Sequence, residues 1–127
     1  MEAKRYGAKL IHPELSYTVV GVCFDAQNDI GRYGREKQYA DAIEKKFQTI
    51  GIPYRREVRI GDSGDIADFL IDGKILLELK AKRTLTKEDY FQVQRYLQSI
   101  NVQLGLLVNF RSRYLYPKRI VRISNFK

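Results

Sequence analysis

A chain of 127 residues, 44% hydrophobic and 30% charged, has the size and composition of one globular domain with a single core. No run approaches eighteen uncharged apolar residues, and the opening "MEAKRYGAKL" has no apolar core of signal-peptide length, so neither a membrane span nor secretion is expected and a cytoplasmic location is. One cysteine excludes an internal disulfide and a Cys-rich metal site, and the lone His12 argues against His–His or Cys–His catalysis, while a net charge of +8 favours a polyanionic partner, most often nucleic acid.

There is no repeat, low-complexity tract or linker, so residues 1–127 read as one domain. Residues 14–30 carry Leu15, Val19, Val22, Cys23, Ala26 and Ile30 at helical spacing, with Gly31 placed to end the helix. "GREKQYADAIEKKFQTIG" repeats the pattern with Tyr39, Ala40, Ile43, Phe47 and Ile50, closed by Gly51. Glu36 lies in line with Ala40, Ile43 and Phe47. It either aims a carboxylate inward or is an exposed acid favoured by the helix dipole. Pro53 forces an extended exit into a first strand, "YRREVRI". "IADFLIDGKILLELKAK", residues 66–82, reads as two strands joined at Asp72-Gly73. "TKEDYFQVQRYLQSI" is a third helix with Thr86 as N-cap and Asp89 three residues on, and it projects Gln92 and Tyr96 from one face. "LGLLVNF", residues 104–110, has the continuous apolar character of a strand covered on both sides, and "RIVRISNF" is a last strand. The order of helix, helix, three strands, helix and two strands gives a mixed α/β layer domain.

The hairpin carries Asp68, Glu78 and Lys80 inside its strands, where a charge is costly to remove from water. Alternation puts Asp68 with Ile66 and Leu70, and Glu78 and Lys80 with Leu76. A two-residue turn at Asp72-Gly73 would pair Asp68 with Leu77 and send Glu78 to the other face. A three-residue turn, Ile71-Asp72-Gly73, pairs Leu70 with Lys74 and restores a common face; that register, or another of even parity, is expected. Asp68 and Glu78 then lie within diagonal reach and repel unless a cation intervenes. Hard oxygen ligands suit Mg²⁺ or Mn²⁺, and Lys80 adds a positive charge beside them, a combination suited to phosphodiester hydrolysis. The bland alternative is the wet face of an amphipathic hairpin, where such neighbours contribute little.

The set Glu36, Asp68, Glu78-Leu79-Lys80 and Gln92 with Tyr96 resembles the PD-(D/E)XK nuclease superfamily. More narrowly, the chain is similar to the GxxExxY family of small bacterial and archaeal proteins. The resemblance covers residues 16–126 and rests on "AQNDIG", Glu36-x-x-Tyr39, "IADFLIDGKILLELKA", "QVQRY" and "LGLLVNF". It departs in one place: position 33 is Tyr rather than Gly, with Gly31 and Gly34 flanking it, while Ala67, where Pro is frequent, is a common variation.

The resemblance implies a restriction-endonuclease-like core, with a mixed sheet between helices and a metal held by Asp68, Glu78 and the Leu79 carbonyl. Glu36 would complete the shell directly or through water, and Lys80 would act on the nucleophilic water. Gln92 and Tyr96 resemble the extra motif of the RecB-like branch, which helps hold substrate or the active-site helix. Some members of that branch carry an iron–sulfur cluster, but Cys23 alone cannot ligate one. The expected function is that of a Mg²⁺-dependent deoxyribonuclease, with Lys82, Arg83, Arg111 and Arg113 on the nucleic-acid backbone. Many relatives work as dimers, which admits a homodimer here. The rival reading is a basic nucleic-acid-binding or assembly module that keeps the fold without turnover.

Overall fold

Three helices and five strands follow the expected order in the computed structural model, which describes residues 11–124. Helix α1 (Pro13–Ile30) opens with a proline in its first turn, where no backbone donor is lost, and buries Val19, Val22, Cys23 and Ala26. Gly31, at φ 87°, ends it and donates its N–H to the Gln27 carbonyl. Helix α2 (Glu36–Ile50) buries Tyr39, Ala40, Ile43 and Phe47 and ends at the left-handed Gly51. Ile50, expected on the buried stripe, is half exposed in the last turn. Among the described residues, no helix is long and apolar enough to cross a membrane.

The strands are β1 (Tyr54–Ile60), β2 (Asp65–Ile71), β3 (Ile75–Lys80), β4 (Leu104–Asn109) and β5 (Lys118–Val121), in that spatial order. All neighbours are antiparallel except β3 and β4, which run parallel. A parallel pair needs a crossover, and helix α3 (Lys87–Ile100) supplies it. The final strand is shorter than expected; of its predicted span, residues 125 and 126 lie outside the described residues.

Helices α1 and α2 cover one face of the sheet, packing on Phe69, Ile71, Ile75, Leu77, Leu79, Leu106 and Val108. Helix α3 covers the other with Val93, Tyr96 and Leu97 against Leu70, Leu76 and Leu107. Burial on both sides explains the unbroken apolar runs of β3 and β4. The result is the mixed α/β sheet between helices of a restriction-endonuclease-like core. Gly105 on β4 lets α3 lie close: a Cβ there would come within 2.7 Å of Val93 Cγ1. Gly105→Ala is therefore expected to destabilise the fold by about 1–3 kcal/mol, read as a lower urea midpoint at unchanged slope.

The hairpin register differs by one step from the expected one. Ile71 pairs with Ile75, Leu70 with Leu76 and Phe69 with Leu77, instead of Leu70 with Lys74. Asp72 and Gly73 both adopt left-handed φ, 52° and 66°, and Lys74 N–H closes the turn onto the Ile71 carbonyl at 2.9 Å. Asp-Gly favours this double left-handed turn, which leaves Lys74 as the extra residue and moves the pairing one step along the chain. Parity is kept, so the next pair in line is Asp68 with Glu78, directly opposite rather than diagonal.

Candidate active site at the splayed end of the hairpin

The backbone ladder between β2 and β3 stops at Phe69 and Leu77. Beyond it, carboxylates take the place of carbonyl acceptors. Asp68 N–H donates to Glu78 Oε1 at 3.1 Å, and Leu79 N–H donates to Asp68 Oδ2 at 2.7 Å. On β1 the residue facing Asp68 is Glu57, whose φ of 57° is an uncommon conformation for a non-glycine residue. Strand alternation reverses across this point. Arg56 bonds to Glu44 on α2 and Phe69 packs in the α1–α2 core, yet Val58 and Ala67 join the α3 core together with Leu70. The expected common face of Ile66, Asp68 and Leu70 is therefore not kept. Ile66 is exposed, and Asp68 sits at the twist with its carboxylate between the two strands.

This placement sets the electrostatics. Glu78 is buried, only 5% exposed, and its carboxyl is pushed up to about 8, first by burial and then by the charge of Asp68. Asp68 is also raised, by burial first and then by the charge of Glu36. The two carboxyls are near enough to share a proton. Lys80 Nζ donates to Gln92 Oε1 at 2.9 Å and lies 3.9 Å from both Glu78 Oε2 and Asp89 Oδ1. Gln92 thus tethers the ammonium beside the acidic pair. Tyr96, four residues on, packs its ring in the α3 core, and burial followed by the charge of Glu78 pushes its hydroxyl up to about 12. At working pH it is a donor. Glu36, exposed in the first turn of α2, lines a cavity of about 260 Å³ together with Lys37, Arg56, Glu57 and Asp68. Three chain segments thus converge: the start of α2, the β2–β3 pair and α3.

Not every basic residue expected to face substrate is free to do so. Lys82 Nζ pairs with Asp89 Oδ2 at 2.9 Å. Arg83 and Arg113 are exposed, the latter lying over the Tyr114 ring. Arg111 lies over Tyr33, with Nη2 3.5 Å from the Ala81 carbonyl. Two residues beyond the sequence reading hold this end together. Asp89, expected only as a helix cap, does accept the Thr86 N–H at 2.7 Å, but it also gathers Lys80 and Lys82; burial opposes its ionisation, and Lys82 and the Thr86 N–H outweigh it and hold its carboxyl below the usual range. Sequence spacing marks the cap but not its meeting with these lysines. Asn109, beside Lys80 on β4, accepts the Lys82 N–H at 3.1 Å and donates to the Lys82 carbonyl at 2.8 Å. No sequence pattern marks it.

A larger apolar cavity of about 470 Å³, lined by Tyr17, Phe24, Leu106 and Tyr116 among others, contains none of these groups. Among the described residues, no three Asp, Glu, His or Cys side chains form a ready-made metal cage. The site offers the buried carboxylate of Glu78, the half-buried one of Asp68, the neighbouring Leu79 main chain and Glu36 at the rim. A small, hard-oxygen donor set of this kind fits Mg²⁺ or Mn²⁺, which keep several waters, and does not fit zinc or an iron–sulfur cluster. Burial raises both carboxyls, and the negative charge of each one's acidic neighbour adds to the rise.

Searches among curated proteins and among solved structures return no match. A family model for the PD-(D/E)XK nuclease superfamily matches residues 13–123, a span that includes every helix and strand described above. The chain belongs to the PD-(D/E)XK nuclease superfamily.

Proposed function

We propose that the chain is a cytoplasmic nuclease that hydrolyses DNA phosphodiester bonds with Mg²⁺ or Mn²⁺, of the GxxExxY kind within the RecB-like branch. The observation that carries this reading is the interlocked pair Asp68 and Glu78, with a tethered Lys80 ammonium 3.9 Å from Glu78. Asp68, Glu78, the Leu79 carbonyl and Glu36 would hold the divalent ion, which when bound supplies an acidified water and a polarised phosphate. Lys80, aimed by Gln92, orients the attacking water and offsets charge that grows on the phosphate oxygens. Tyr96 keeps its proton, held there by burial and by the charge of Glu78. Arg83, Arg111 and Arg113 bind the substrate backbone. Lys82 serves first to anchor the start of α3 through Asp89.

The rival module, with the fold but without turnover, has to explain buried charge. Neutral Asn and Gln side chains could cap the Asp68 and Leu79 amides without the repulsion that two carboxylates create. The purified chain is to be incubated with single-stranded, duplex and branched DNA and with RNA, in Mg²⁺, Mn²⁺ or EDTA. Cleavage that EDTA, Asp68→Ala and Lys80→Ala each abolish supports the nuclease. Binding unaffected by EDTA, with no product on any substrate, supports the module. Sedimentation of the same sample reports whether it is a homodimer.

A further inference from the structure

The loop between α1 and α2 and the loop after β4 meet beside the catalytic end of the sheet. Their contact is built from several bonds. Gln27 Nε2 donates to the carbonyls of Phe110 and Ser112, both at 2.9 Å, and Arg32 Nε donates to the Arg111 carbonyl at 2.9 Å. Tyr33 projects between two guanidiniums and is 73% exposed: Arg32 Cζ lies 5.0 Å from its ring centre and Arg111 Cζ 5.6 Å. Ring and guanidinium attract each other and hold both cations in place. Neither arginine has a carboxylate within ion-pair distance among the described residues.

Arg111 is also short of partners. Its Nε is buried without a hydrogen-bond acceptor, and Nη2 has only the long contact to Ala81. A guanidinium with so few partners keeps its outer N–H groups available for an anion with several acceptor oxygens. The position matters as much as the charge. Ala81 follows Lys80 directly, and Arg111 follows by two residues Asn109, the β4 partner of Lys80. Two guanidinium forks with no carboxylate at ion-pair distance, next to a lysine that faces the scissile group, match the phosphates flanking a cut site.

We propose that Arg32, Tyr33 and Arg111 form a phosphate-binding subsite that grips the backbone of the substrate strand beside Asp68, Glu78 and Lys80. The subsite rests on the nuclease reading for the identity of its ligand, a nucleic-acid strand, but its binding does not require turnover. Arg32 and Arg111 take phosphate oxygens, and Tyr33 keeps the forks in position without reading a base, so the grip is independent of sequence.

Fluorescence anisotropy with labelled single-stranded and duplex oligodeoxynucleotides in EDTA separates binding from cleavage. Arg32→Gln and Arg111→Gln are each expected to weaken binding about 5- to 20-fold and to reduce the salt slope by about one. Tyr33→Ala should weaken binding less, and Lys45→Gln on the outer surface of α2 should change the affinity little. Circular dichroism verifies folding, and Arg32→Lys, which keeps the charge but not the fork, should recover only part of the loss. Where cleavage occurs, the two Gln variants should raise KM with little change in kcat. Unchanged affinity and salt slope in both arginine variants overturn the subsite even if the wild type cuts DNA, and so does a wild type that binds no nucleic acid. Arginine-dependent binding without metal-dependent cleavage upholds the subsite and overturns the nuclease reading alone.

Discussion

In EDTA the protein loses stability as pH rises from about 4.5 to about 8, and Glu78→Gln abolishes most of that loss. The sign follows from the proton count. A glutamate in the unfolded chain ionises near 4.5, whereas Glu78 in the fold holds its proton to about 8. Between those values the folded state binds one more proton than the unfolded state, so each pH unit costs the fold at most ~1.4 kcal/mol. The contribution is complete below 4.5 and gone above 8. Asp68, raised in the same direction, adds to the fall at its acid end. Asp89 works oppositely: held below the usual carboxylate range, it supplies stability that is lost only as acid protonates it. Mg²⁺ should reverse the basic-side loss, because binding needs both carboxylates ionised and displaces the shared proton. Chemical denaturation from pH 5 to 9, with and without Mg²⁺, is the measurement. The wild type should show a falling curve in EDTA and a metal-induced gain that grows toward pH 8, while Glu78→Gln should show neither. A flat wild-type curve in EDTA would remove the case for a crowded acidic pair.

The elements were legible because each states its own period. The stripes of α1 and α2, the Thr86 and Asp89 cap and the apolar run of β4 are local signals, and the tertiary structure agrees with them. The convergence of Asp68 with Glu78 was legible only through parity: any even register brings the two together, so an error of one step in the turn changed diagonal into opposite without separating them. The twist at Glu57 and Asp68 was not legible. Period-two reasoning assumes that a strand keeps one face inward throughout, whereas here two strands roll together and carboxylates fill the gap in the ladder. Asn109 escaped for another reason. Its bonds join segments 27 residues apart, and nothing in its neighbours announces them. Likewise, the engagement of Lys82 by Asp89 depends on where α3 begins relative to β3, a distance that sequence spacing does not carry.

Lys80→Met should lower kcat by about 10²–10³-fold while the fold and the Mg²⁺-induced stabilisation persist. The methionine keeps the apolar stem and removes only the ammonium, so what is lost is charge placed where the phosphate becomes more negative. Removing that cation also lifts the Glu78 carboxyl further, since Lys80 now favours its ionised form, and the acid limb of the pH–rate profile should move to higher pH. Gln92→Ala tests whether the amide acts through the lysine. Its Oε1 takes the Lys80 ammonium at 2.9 Å, so loss of the tether should reduce kcat about tenfold with KM nearly unchanged. Because the two residues act as one unit, the double variant should be no slower than Lys80→Met alone. Steady-state rates for the four proteins close that cycle. If the two losses multiply instead, Gln92 touches the substrate independently, and the role of α3 shifts from aiming the ammonium to binding the strand.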